Sequence, residues 1–213
     1  MDFYLASYKF GNHKKEFLNL ISKTNKKTAF IPNAGDAYPK KKNEERTAKT
    51  LEELKEVGLD PEIIDLKQYF GKEKALEKKL KTKEVIWVKG GNTFVLRKAM
   101  NLSGFDKIFK KLLNKKKMLY AGYSAGIVVL APSLKSTEIV DAKNAIPYKN
   151  KKILWEGLNY LPYLPLPHYA SNHPESKKIN KTIKYCIKEK IPFKTLKDNE
   201  VIVIKEGREI ILK

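Results

Sequence analysis

At 213 residues with 42% hydrophobic content and a single cysteine, the chain is long enough to bury one sizeable core without metal or disulfide support. The formal charge of +20 comes from 44 basic residues against 24 acidic ones, yet only Arg46, Arg97 and Arg208 are arginine. Lysine spread over every amphipathic segment reads as a solvated surface and argues against specific nucleic-acid recognition, which favours the guanidinium fork. Steering of small anionic substrates is the milder consequence of the same field.

The remaining limits are quickly drawn. Cys186 has no partner for an internal disulfide and sits in a Lys-rich helical pattern, so it reads as a half-buried helix residue. Met1 to Leu5 goes directly into an apolar strand pattern with no secretory signature, and no apolar run approaches the length of a membrane span. The expectation is a soluble cytoplasmic protein forming one domain over residues 1–213.

In chain order, strand patterns at 3–6, 28–31, 62–65, 85–88 and 118–121 alternate with amphipathic helical patterns at 13–22, 44–57, 72–80, 93–100 and 105–113. This alternation predicts a mostly parallel sheet covered on both faces, a three-layer α/β/α arrangement. Lysine runs at 40–42, 78–81 and 115–117 fall at helix ends or in loops. After the fifth strand, Ile127 to Leu130 reads as an apolar helix ending at Pro132. A strand is then expected at 137–140, followed by long Pro-, Tyr- and Lys-rich loops from 142 to 167, the kind of segment on which sites are assembled. A helix over 175–189 precedes a closing hairpin, 201–204 with 209–212, around Glu206-Gly207.

The segment Gly122-Tyr123-Ser124-Ala125-Gly126 carries the strongest chemical signal. Glycines two before and two after a serine let a strand and the following helix approach closely, leaving the serine on a strained turn with its Oγ exposed. Such a nucleophile needs a base, an acid and two oxyanion donors. His13 opens a surface helix and is most simply solvent-facing. His168, fixed behind Leu164-Pro165-Leu166-Pro167, is the first choice for the base, with His173 the alternative. The turn Lys89-Gly90-Gly91-Asn92-Thr93, between a strand and a helix, can aim backbone N–H groups at developing charge, which makes Gly91 and Ala125 the candidate oxyanion donors.

Taken together, Gly90-Gly91-Asn92-Thr93-Phe94, the serine segment from Tyr120 to Gly126, and Pro167-His168-Tyr169 resemble the dipeptidase E and cyanophycinase family of serine peptidases. The likeness extends over most of the chain, including Phe30-Ile31-Pro32-Asn33-Ala34 and the closing hairpin, and the length resembles that of dipeptidase E. It implies a flavodoxin-like fold similar to class I glutamine amidotransferases, with a C-terminal β-hairpin. It also implies a triad of Ser124, His168 and a late acid. For that acid the segment Leu196 to Glu200 offers Asp198, favoured over Glu200. Glutamate is usual there, so the aspartate arm is one methylene shorter, to be compensated by the backbone or by a bridging water. A second acid, between nucleophile and base, falls to Asp141, with Glu138 the alternative, for substrate binding or histidine orientation. Asn92 and Lys135 are candidate substrate-binding residues. Lys89, where a third glycine is usual, and Lys135 are the candidate cations for the N-terminal aspartate of a small peptide substrate.

The resemblance thus implies a serine-type dipeptidase needing neither metal nor cofactor, acting as a monomer or homodimer with no nucleic-acid or membrane partner. The alternatives are a non-peptidase protein of amidotransferase-like fold, or a cyanophycinase-like hydrolase of aspartyl polymers.

Overall fold

The computed structural model describes residues 2–113 and 118–213. The lysine run at 115–117 lies outside them. Along the chain run β1 (Asp2–Ala6), α1 (Lys14–Ile21), β2 (Lys27–Ile31), α2 (Lys40–Glu56), β3 (Asp60–Ile63), α3 (Glu73–Lys81), β4 (Val85–Val88), α4 (Thr93–Leu102), α5 (Phe105–Leu113) and β5 (Leu119–Tyr123). Then follow α6 (Ala125–Val128), β6 (Leu164–Leu166), α7 (Ser176–Lys188), β7 (Phe193–Thr195), β8 (Val201–Lys205) and β9 (Arg208–Leu212).

Seven strands form one sheet in the order β3-β2-β4-β5-β1-β8-β9. The first five are parallel, and the closing hairpin adds β8 and β9 antiparallel. Strand alternation divides the core in two. Phe3, Leu5, Ile86, Val88 and Tyr120 face a large cluster with α3, α4, α5 and α7, while Tyr4, Ala6, Phe30, Trp87 and Ala121 face a smaller one with α1 and α2. Central strands buried on both faces read as continuous apolar runs, which is why Val85-Ile86-Trp87-Val88 was legible. The carboxyl ends of β1, β4 and β5 lie side by side, where open α/β sheets gather their sites.

Four local expectations are corrected. Strand β3 begins earlier than expected, at Asp60, because it is an edge strand and an edge tolerates Pro61. Residues 137–140 are not a strand: a 3-10 turn covers Lys135–Ile139, closed by Thr137 N donating to Leu134 O and Val140 N to Thr137 O, with Ser136 and Thr137 buried. Their β-branched character pointed to a sheet, but packing beneath α7 decided the outcome. The apolar helix after Ser124 ends at Val128 and tightens into i→i−3 bonds at Leu130 and Ala131. His13 is not solvent-facing: its side chain is only 15% exposed and its Nε2 is buried.

Strands β6 and β7 were not foreseen. They pair in parallel as a separate two-stranded sheet, Leu164 opposite Phe193 and Leu166 opposite Thr195. Each is only three residues long, too short for a period-2 signal. No helix among the described residues is long and apolar enough to cross a membrane.

Candidate active site

The turn after β5 is shaped by two close approaches. A Cβ on Gly122 would lie 2.6 Å from Val88 O, and one on Gly126 would lie 2.4 Å from the same oxygen, so β5 and α6 close onto β4 only because both side chains are absent. Between them Ser124 takes φ 51° and ψ −122°, outside the ordinary regions for a residue with a side chain. Holding such a conformation costs on the order of 1–3 kcal/mol, which the surrounding packing must supply. Tyr120 Oη donates to Gly126 O at 2.6 Å, and Ser124 N donates to Ser7 O at 3.2 Å, tying the turn to its own strand and to the end of β1.

His168 and Asp198 emerge from the same end of the small sheet, two residues beyond β6 and three beyond β7. Leu196 N donates to Leu166 O at 2.9 Å and Tyr169 N to Leu196 O at 3.0 Å, so the pairing continues past the strands and fixes both side chains. Asp198 Oδ1 lies 2.6 Å from His168 Nδ1, and His168 Nε2 lies 3.2 Å from Ser124 Oγ. The carboxylate sets the tautomer: Nδ1–H donates to Asp198, leaving Nε2 to accept from the serine hydroxyl. Despite the shorter arm, aspartate reaches the imidazole directly. Glu200 instead accepts the backbone N–H of Lys197 at 2.9 Å and closes the loop that presents Asp198.

Burial pushes the His168 pKa below the ordinary histidine value, opposed by its hydrogen bond to Asp198, so the ring is held neutral and able to accept a proton near pH 7. The His173 ring stacks on it, centroids 3.7 Å apart and planes inclined by 12°, and Tyr8 meets both rings edgewise or tilted. His173 thus stacks on His168, and it is His168 that hydrogen-bonds Ser124. One ligand atom each of His168, His173 and Glu175 lie within 4.8 Å of one another. Both nitrogens of His168 are already engaged, however, and stacked rings do not converge their in-plane lone pairs on one point, so the group fits a metal poorly.

Ser124 opens into a narrow cavity, about 20 Å³ of free volume, which it lines together with Gly91, Thr93, Ala125, Asp141 and Glu175. Gly91 can enter only as glycine, since a Cβ there would sit 2.3 Å from Ala34 O. Asp141 Oδ2 accepts Thr93 N at 2.8 Å at the start of α4, and burial raises its pKa to about 6. Burial also raises that of Glu175.

The other proposed contacts fall elsewhere. Asn92 caps α4, its Oδ1 accepting Val95 N and its Nδ2 donating to Ala142 O, so both polar ends are engaged within the fold and it does not line the cavity. Lys135 is exposed on the 3-10 turn, outside the lining. Lys89 is buried facing α2, donating to Asn43 Oδ1 and Thr47 Oγ1, with its pKa pushed down to about 8 by burial. Glu138 is exposed and paired with Lys143. Two participants had gone unseen: Glu175, whose only signal is its place just before α7, and Ser7, a buried serine at the end of β1.

Comparison with known proteins places the chain among peptidases. An uncharacterized peptidase of Listeria monocytogenes is 32% identical over 197 residues, covering 92% of this chain and 88% of the relative. A peptidase E of Nostoc sp. is 28% identical over 159 residues, covering 74% of this chain and 58% of that protein. The crystal structure of a candidate peptidase E from Listeria monocytogenes EGD-e superposes with a TM-score of 0.80 at 26% identity, covering 100% of this chain and 98% of that one. A peptidase from an acI-B1 actinobacterium shares the fold, with a TM-score of 0.71 at 14% identity over 99% of this chain and 86% of the other. Residues 6–212 match the model of peptidase family S51, and the chain belongs to that family, the family of dipeptidase E.

Proposed function

We propose that this S51 peptidase is a serine-type dipeptidase, cleaving the bond after the first residue of short peptides with a free amino terminus. The hydrogen-bonded line from Ser124 Oγ through His168 to Asp198 carries the reading. Ser124 Oγ attacks the scissile carbonyl carbon as its proton passes to His168 Nε2. The N–H groups of Gly91 and Ala125, which share the cavity with Ser124, stabilise the oxyanion. Collapse breaks the C–N bond, with His168 returning the proton to the departing amine. Water then attacks the acyl-serine, gives a proton to His168, and releases the first amino acid as Oγ recovers that proton.

Support for an amino-terminal substrate comes from the two carboxylates in the cavity wall and from the cavity's small size. The test is labelling by a fluorophosphonate at Ser124, together with hydrolysis of a dipeptide panel. Stoichiometric labelling lost in Ser124→Ala, with matching loss of hydrolysis, is the expected result. Unlabelled Ser124 in an enzyme that cleaves dipeptides would remove the serine mechanism.

A further inference from the structure

We propose that the cavity beside Ser124 receives a free α-ammonium group together with a short neutral side chain, so that the preferred peptides begin with glycine, alanine or serine and an N-terminal aspartate is disfavoured. This rests on the reading of Ser124 as the nucleophile and specifies its substrate.

Three observations converge on it. First, the ionisable side chains that line the cavity are Asp141 and Glu175, and no basic side chain among the described residues joins them. A substrate carboxylate would be a third negative group in a confined, poorly hydrated space, whereas an ammonium group would be attracted by both acids. The rise that burial gives both pKa values is opposed when a cation enters, since the opposite charge favours their ionised forms.

Second, the cations that act on these acids, Lys178 on both and Arg46 on Glu175, do so from outside the cavity lining. Lys178 Nζ donates to Val140 O at 3.1 Å, and the Arg46 guanidinium lies over the Tyr38 ring at 5.1 Å; neither lines the cavity. Lys89, the basic residue closest to Gly91 in sequence, is turned towards α2.

Third, Thr137 lines the same cavity, is 4% exposed, and its buried Oγ1 has no hydrogen-bond partner. A buried hydroxyl left without a partner costs about 1–3 kcal/mol, which a polar atom of the bound ligand would recover. Much of the remaining wall is apolar, including Val128, Val140 and Leu166, the hydroxyl of Thr182 is spent on Lys178 O, and the free volume admits only a few atoms. A small side chain, with or without a hydroxyl, fits this combination of size and lining.

The experiment compares kcat/KM for Gly-Leu, Ala-Leu, Ser-Leu, Asp-Leu and N-acetyl-Ala-Leu, with fluorophosphonate labelling of Ser124 followed in parallel. Ala-Leu or Ser-Leu is expected to exceed Asp-Leu at least tenfold, and N-acetylation to abolish hydrolysis. Glu175→Gln is expected to raise KM for Ala-Leu about tenfold with a smaller change in kcat, and to narrow the gap to Asp-Leu. Thr137→Val, which keeps the shape, should lower the Ser-Leu to Ala-Leu ratio. A labelled enzyme that prefers Asp-Leu, cleaves the acetylated peptide as well as the free one, or cleaves none of the dipeptides overturns the inference while leaving the nucleophile in place. An enzyme that cleaves dipeptides with Ser124 unlabelled overturns the reading on which it rests.

Discussion

Ser7 Oγ accepts the backbone N–H of His168 at 2.8 Å, joining the end of the first strand to a residue 161 positions later. The same hydroxyl has Leu196 O at 3.2 Å and Asp198 Oδ1 at 3.4 Å within reach, and the Ser7 carbonyl accepts Ser124 N. One buried residue therefore touches the segments that carry Ser124, His168 and Asp198, the first through its carbonyl and the other two through its hydroxyl. Ser7→Ala is expected to lower kcat roughly 10- to 100-fold with little change in KM, and to cost about 1–3 kcal/mol of stability by leaving the His168 N–H unpaired. Steady-state kinetics with a urea unfolding curve checks both, and unchanged kcat would reduce Ser7 to a packing residue.

Ser124 should separate activity from stability. Ser124→Ala is expected to reduce hydrolysis by at least about 10³-fold while the melting temperature stays near wild type. Ser124→Gly should be equally inactive yet more stable than Ser124→Ala, because glycine adopts φ 51° without strain. Equal stability of the two variants would mean that the turn stores no strain.

The two stacked histidines should differ in kind. His168→Ala is expected to be as damaging as loss of the serine, and His173→Ala to lower kcat less than about tenfold. The proton-accepting form of His168 is lost as pH falls through its depressed pKa, so the acid limb of kcat/KM should lie below the ordinary histidine value of 6.5. Replacing His173 by alanine uncovers one face of the base and weakens the desolvation that depresses it, which should move that limb upward. A limb that stays fixed would show that the stack has no influence on the base.

Asp198→Asn should cost on the order of 10⁴ in kcat, since an amide favours the wrong imidazole tautomer. Asp198→Glu should stay within about tenfold of wild type, because the side chain is 32% exposed and the longer arm can bend toward the open groove formed with Tyr8 and Asn172. An active Asp198→Asn enzyme would transfer the role to another group.

Asp141 should trade stability for binding. Its folded pKa of about 6 lies above the ordinary aspartate value of 3.8, so the folded chain holds its proton more tightly, and the stability this gives is lost as pH rises from about 4 to about 6. Asp141→Asn removes that loss while an amide oxygen can still accept Thr93 N. The variant should therefore gain roughly 1–3 kcal/mol at pH 7 and little at pH 4, with a raised KM. Melting curves at the two pH values decide it; a variant destabilised at both would mean that Asp141 is chiefly a helix cap.

Legibility in the sequence followed the range of the forces involved. The four inner parallel strands and the elbow were readable because burial on both faces and the Gly-x-Ser-x-Gly spacing are local signatures, whereas the exposed edge strand β3 was displaced by two residues. His168 was readable because two prolines fix the segment before it. Lys89 and Lys135 misled because a lysine near a motif in sequence says nothing about the direction of its side chain, and buried partners on α2 claimed Lys89. Ser7, Thr137 and Glu175 owe their positions to contacts across the fold, and nothing beside them in sequence announces those contacts.

The small β6–β7 sheet has a consequence for how such a site can change over time. His168 and Asp198 are mounted on one two-stranded clip, so their mutual spacing is inherited from a few backbone hydrogen bonds and is insensitive to drift in the large sheet that carries Ser124. Shortening the acid by one methylene then needs only a local adjustment of the loop at 196–200, where Glu200 already braces the turn. An exchange of aspartate for glutamate at this corner would leave the turn at Ser124 untouched, so the two halves of the proposed machinery can be tuned separately.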